Sequence, residues 1–142
     1  MTDNATTVSL LDEVLATEKR SLVLRLADAN PFVTWAGVRA ADTLRPIIRE
    51  QAEHADWLSE AILQRGGAPS WAPPDPRTGS IHYVDLVYLL PRIVRDEQHL
   101  LQVCESAAAR AADPSANELI RRIAGRHRQH LEQLASVAAA RA

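Results

Sequence analysis

The chain is poor in cysteine, methionine and aromatic residues: one cysteine, one methionine and 4% aromatics. A single cysteine, Cys104, excludes an internal disulfide framework and suits a reducing compartment. Scarce aromatics beside abundant Ala, Leu, Glu and Arg argue against a sheet, which favours β-branched and aromatic residues. A formal net charge of −2 provides no basic field for nucleic acid or an anionic membrane surface. There is no apolar run of transmembrane length and no secretory n-region and h-region. These absences predict a soluble, cytoplasmic protein without nucleic-acid or membrane partners.

What remains is 142 residues with 46% hydrophobic content, enough for one core and one domain spanning the chain. The apolar spacing is helical throughout and predicts an all-α fold of four long helices. Leu11, Val14, Leu15, Leu22 and Leu26 recur at three and four, so the first helix runs from about Ser9 to Ala29, where Asn30-Pro31 ends or kinks it. Residues 31–41 fit a helix or a turn equally. Asp42 or Thr43 caps the second helix, with Pro46 in its first turn, and Gly66-Gly67 closes it. The stretch "GGAPSWAPPDPRTG", residues 66–79, reads as a long connection. Ser80 or Asp85 opens the third helix, with a kink at Pro91. Asp113-Pro114-Ser115 turns the chain into the fourth. Short, long, short connections suit a bundle whose middle connection crosses the length of the fold.

Polar residues interrupt each apolar face. Glu18 lies between Leu15 and Leu22. Gln51 and His54 continue the series Leu44, Ile47, Ile48 and Leu58. Glu97 follows Ile93 and Val94. In "GRHRQHLEQL", residues 125–134, His127 and His130 fall on the stripe of Ile123, Leu131 and Leu134. Depth brings them together, because residues on antiparallel helices meet when equally far from the joining turn. The midpoint between Glu18 and the Gln51/His54 pair lies near residue 35, and that between Glu97 and the His127/His130 pair near residue 113, both at breakers. A convergent set of buried carboxylates and imidazoles calls for a partner, and a divalent metal is that partner in many bundles. A hydrogen-bonded histidine pair, or Glu97 paired to Arg92 or Arg126, is the simpler alternative. Gln51 fits ligation and a supporting hydrogen bond equally well. Glu50 and Glu53 point sideways or outward by helical phase. His82, His99, Asp96 and the neighbouring arginines read as solvated, Cys104 as core, and Trp35, Trp57 and Trp71 as packing or interface anchors.

With these residues in place, the chain resembles ferritin-like proteins, and most closely their bacterioferritin branch. The segment "EHADWLSEAILQRGGAPS", residues 53–70, is the most specific part, and helix order and ligand placement extend the resemblance over nearly the whole chain. Such proteins share Glu on helix one, Glu-x-x-His on helix two, Glu on helix three and Glu-x-x-His on helix four. That set holds two irons that react with dioxygen or peroxide. The resemblance implies Glu18, His54, Glu97 and His130 as terminal ligands. It departs at the two bridging carboxylates, where this chain has Gln51 and His127. The haem-ligand methionine corresponds to Ala52, so no haem is expected.

Two carboxylates and up to three imidazoles leave two divalent ions short of negative charge but neutralise one. The reading is therefore a metal-binding bundle with a mononuclear site of Glu18, Gln51, His54, Glu97, His127 and His130. Iron is the first candidate, with zinc or manganese as alternatives, and limited redox chemistry with dioxygen or peroxide is the implied activity. A dinuclear oxidase completed by a solvent-derived bridge or a shifted Glu50, or a metal-free bundle using its polar core for specificity or partner binding, are the competing functions. Exposed Phe32, Val33, Trp35 and Trp57 suggest a homodimer through the first two helices rather than a hollow cage.

Overall fold

A computed structural model describes residues 2–28, 37–70 and 85–139, and every regular element among them is a helix. They are α1 (Thr2–Lys19), α2 (Leu22–Asp28), α3 (Val38–Gln64), α4 (Leu86–Arg110) and α5 (Pro114–Ala139). The all-helical expectation holds. Among the described residues, no helix is long and apolar enough to cross a membrane.

The first predicted helix starts earlier than expected and is two helices. It begins at Thr2 and breaks at Arg20 and Ser21, one residue beyond Glu18. Ser21 starts α2 anew, because its Oγ accepts from the Leu24 backbone N–H at 3.2 Å. The next free donor, the Leu22 N–H, goes to the Asp96 carboxylate at 2.8 Å. Asp96 is thus a capping group for another helix rather than a solvated charge, and burial pushes its pKa up against that hydrogen bond.

The second predicted helix is α3, which opens at Val38, a turn before Asp42 and Thr43. Pro46 therefore sits inside the helix rather than in its first turn, and the helix forfeits the bond its missing N–H would have made. Residues 37–41 resolve as the start of α3, while 31–36 lie outside the described residues. At the other end, Gly66 adopts φ +77°. Its N–H bonds Leu63 O at 3.0 Å and that of Gly67 bonds Ile62 O at 3.0 Å, the paired closure of a Schellman motif. Gly67 is also a close approach: a Cβ there would lie 2.7 Å from the Val8 side chain on α1.

Residues 71–84, including most of the predicted long connection, Ser80 and His82, lie outside the described residues. Asp85 does open α4, accepting from the Val87 N–H at 3.0 Å. α4 continues through Pro91. Asp113 caps α5, with Pro114 in the first helical position, where a missing N–H costs nothing.

α4 lies along α5 and α1 along α3, while α1 also touches α4 and α3 touches α5. The short α2 packs on α3 and α4. Two separate apolar layers fill the interior. One gathers Leu11, Leu15, Leu58, Ile62, Cys104 and Ile120, and the other Leu22, Ile47, Leu89, Ile93 and Leu134. Each such side chain contributes about 1.5–3 kcal/mol by leaving water. Following α3, α4 or α5 from one layer to the other crosses an inward polar residue, and Glu18 stands near the end of α1.

Asp113 joins two of these helices. Its carboxylate takes the Ala116 N–H at 2.9 Å and the Arg65 guanidinium, beyond the end of α3, at 2.8 Å. The backbone N–H, Arg65 and Ser115 hold its pKa down to about 2. A carboxyl with a depressed pKa stabilises the fold above its unfolded value of about 3.9 and loses that contribution as pH falls through the folded value. We expect Asp113→Ala to lower the melting temperature at pH 7, and the gap from the native chain to close as pH falls from about 4 to about 2. Thermal melts across that range check it.

Candidate metal centre

The inward polar residues of the long helices meet in one layer between the two apolar clusters. Glu18 on α1, Gln51 and His54 on α3, Glu97 on α4, and His127 and His130 on α5 are all buried to 1% exposure or less. The structure therefore brings together all six residues singled out from the sequence.

His127 is the hub. Its Nε2 lies 2.6 Å from Glu18 Oε1 and its Nδ1 2.8 Å from Glu97 Oε2. Burial opposes charge on this ring, but the two carboxylates outweigh it and raise the pKa to about 10. Conversely, burial raises the Glu18 pKa, yet the hydrogen bond from His127 and the proximity of His54, 3.8 Å away, prevail and bring it below the ordinary range.

Gln51 is committed elsewhere. Its Oε1 accepts from Ser21 Oγ at 3.3 Å, which turns its amide nitrogen toward Glu97 Oε1, to which it donates. Of the two roles open to Gln51, ligand and supporting hydrogen bond, the contact seen in this structure is the supporting hydrogen bond to Glu97. Glu97 thus has one oxygen on Gln51 and the other on His127, and neither Arg92 nor Arg126 reaches it among the hydrogen bonds of the described residues. Glu18 differs, since its Oε2 has no hydrogen-bond partner.

His54 and His130 have no hydrogen bond at either ring nitrogen. They stack on each other with centroids 6.2 Å apart and meet His127 edge-on at 5.5 and 5.6 Å. Burial, offset only in part by Glu50, lowers the His130 pKa, so this ring is neutral at pH 7. Buried imidazoles without hydrogen-bond partners are the donor type that Fe, Zn or Mn accepts. Two sets of ligand atoms lie within 4.8 Å of one another: Glu18, His54 and His127, and Glu97, His127 and His130. Either could hold a metal ion.

At the rim, the sequence placed Glu50 near the site only as a shifted alternative. Glu50 does point sideways, as its phase requires, but its carboxylate reaches back to the site. It lies 3.8 Å from His54 Nε2 and 3.3 Å from His130 Nε2, and is bridged by Arg126 at 2.9 Å. Arg126 and His130 hold its pKa down to about 2, against a burial effect. The available signal was the four-residue spacing from Glu50 to His54 and the position of Arg126 next to His127. Glu53 and His99 are exposed, and Cys104 is buried in the apolar layer, where burial pushes its thiol pKa up. Trp57 is half-buried, lying 5.3 Å from the His54 ring beneath the Arg122 guanidinium, and so is not a free apolar anchor. The other residues invoked for a dimer, Phe32, Val33 and Trp35, and also Trp71, lie outside the described residues.

No family model and no curated protein matches the chain. Among solved structures, it is similar to the crystal structure of antigen TpF1 from Treponema pallidum, with a TM-score of 0.70. The match covers 96% of this chain and 92% of that one at 16% identity. At that identity the likeness concerns the fold alone.

The charge pattern sets a pH signature for the metal-free protein. His127, with its pKa raised to about 10, stabilises the fold fully below its unfolded value of about 6.5 and loses that contribution as pH rises through 10. Glu18, with its pKa lowered, contributes above about 4.3 and loses it in acid. Melting temperature under chelation should fall between pH 6.5 and 10, and His127→Gln should flatten that limb. A native melting temperature constant across that range would contradict the assignment.

Proposed function

We propose that the chain is a ferritin-like four-helix bundle, with a long crossover between α3 and α4, that binds one divalent metal ion in its buried polar layer. The observation that carries this is the pair of buried imidazoles, His54 and His130, without a hydrogen bond at any ring nitrogen. Such groups are costly in an apolar interior unless something accepts their lone pairs.

His127 limits the number of ions. A neutral imidazole has one lone pair, so His127 can serve the Glu18 side or the Glu97 side, but not both. The Glu18 side is favoured. Glu18 has an unbonded oxygen, whereas Glu97 is held by Gln51. Glu18, His54 and Nε2 of His127 then form the ligand set, and the Nδ1 proton of His127 is donated to Glu97. A carboxylate behind a ligating histidine fixes its tautomer and orientation. One divalent charge against Glu18 and Glu97 leaves the layer neutral.

Iron is the first candidate, with zinc or manganese next, since this donor set accepts all three. Bound iron would supply limited one-electron chemistry toward dioxygen or peroxide. The protein's own part is to orient the ligands through Gln51 and Glu97 and to keep bulk water out with the two apolar layers.

One observation favours a second reading. His127 bonded to both carboxylates is itself a buried cation between two anions, so the layer is partly neutralised from within. On that reading the polar core serves conformational specificity and needs no metal.

Titration calorimetry with Zn(II) and Fe(II), backed by elemental analysis, separates the readings. We expect one ion per chain, abolished in Glu18→Gln and His54→Ala. Glu97→Gln should weaken affinity by about 10–100-fold while keeping the stoichiometry. Two ions per chain would revive a dinuclear centre, and none at saturating metal would leave the metal-free bundle.

A further inference from the structure

The site proposed above is closed along the helix axes by the two apolar layers, so any access is lateral. Two partly exposed residues touch the His54/His130 pair. Trp57 covers His54 with an apolar ring, itself capped by Arg122. Glu50 instead presents a carboxylate to Nε2 of both histidines, at 3.8 and 3.3 Å, with its side chain 23% exposed.

The surroundings of Glu50 point the same way. Two surface clefts, of about 540 and 380 Å³, lie between α3 and α5. Both are lined by Pro46, Glu50 and Arg126. The Glu50–Arg126 ion pair is thus a wall common to both clefts, with solvent on one side and the imidazole pair on the other. Arg126 holds Glu50 through Nε and Nη2, and its Nη1 donates to Gln129 one turn along α5. Gln129 gives the guanidinium a resting place when it leaves Glu50.

We propose that the Glu50–Arg126 ion pair is a latch on the access route to the buried layer, and that Glu50 is the carboxylate that first takes up a divalent cation from solvent. The proposal rests on the metal-binding reading above. With the latch shut, the guanidinium occupies the carboxylate and repels cations from the mouth. A partly exposed ion pair is weak enough to open thermally. Once Arg126 swings onto Gln129, Glu50 is free to bind a hydrated cation. From the same position it passes the cation along the edge of the His54 ring, from beside Nε2, which Glu50 already faces, to beside Nδ1, which lies 3.8 Å from Glu18. Arg126 then returns to Glu50 behind the cargo. No bond is made or broken in the protein beyond exchange of ligands and ion-pair partners.

The test is stopped-flow loading of the metal-free full chain with Co(II), read from its visible absorption, together with equilibrium stoichiometry. Arg126→Gln should load several-fold faster than the native chain and still end at one Co(II) per chain. Glu50→Gln should load about 10-fold slower, the scale on which charge at a mouth alters association. The double variant should be as slow as Glu50→Gln, because opening a latch gains nothing without the carboxylate behind it. Arg122→Gln removes the same charge from the same cleft without touching Glu50, and should have little effect. Equal acceleration in Arg122→Gln and Arg126→Gln would reduce the effect to a general field and overturn the latch. Native-rate loading in Glu50→Gln would overturn the route while leaving one bound Co(II) and the binding reading intact. No Co(II) uptake by the native chain would overturn both, and circular dichroism of each variant separates misfolding from slow loading.

Discussion

Two carboxylates buried in a helical interior must be neutralised, and the rest of the structure is arranged around how that happens. Glu18 and Glu97 face each other across His127, which touches one with each ring nitrogen. No solvent is available to share the charge, so His127 and Glu18 shift one another's protonation. Every other polar group in the layer is placed relative to this triad. Gln51 fixes Glu97, Ser21 fixes Gln51, and the break between α1 and α2 is what brings Ser21 inward. The helix break that follows Glu18 is therefore part of the site and not an incidental irregularity.

This layer divides the core into two apolar clusters, which supply the stability that a polar stratum consumes. Apolar residues of similar volume in its place would leave the fold as stable or more so, so stability does not account for the layer. The imidazoles of His54 and His130 make that point most sharply, because neither has a hydrogen bond at a ring nitrogen. Their nearest charged companion besides Glu18 and His127 is Glu50, at the boundary with solvent, which links the buried chemistry to the outside of the molecule.

Much of this was legible in the sequence, for physical reasons that differ by element. Glu18, Gln51, His54, Glu97, His127 and His130 were visible because a 3.6-residue period leaves no ambiguity when a polar residue interrupts a long apolar stripe. Depth matching worked because Asp113 does turn α4 into α5. The break at Ser21 was hidden, since Leu22 and Leu26 continue the stripe of α1 and the compensating acceptor, Asp96, lies 74 residues away in sequence. Pro46 misled because proline is most at home in a first turn, whereas tertiary packing carries α3 past it. Glu50 was underrated because phase locates a Cβ, not the far end of a flexible side chain. The role of Gln51 depends on Ser21, which no periodicity selects.

The central claim is that one ion sits between Glu18, His54 and Nε2 of His127, with Glu97 behind the histidine. Anomalous diffraction from crystals grown with Zn(II) tests it most directly. The account predicts a single strong peak per chain, bounded by those three side chains, with Gln51 still donating to Glu97. Two peaks flanking His127, or a peak coordinated by Gln51, would contradict it.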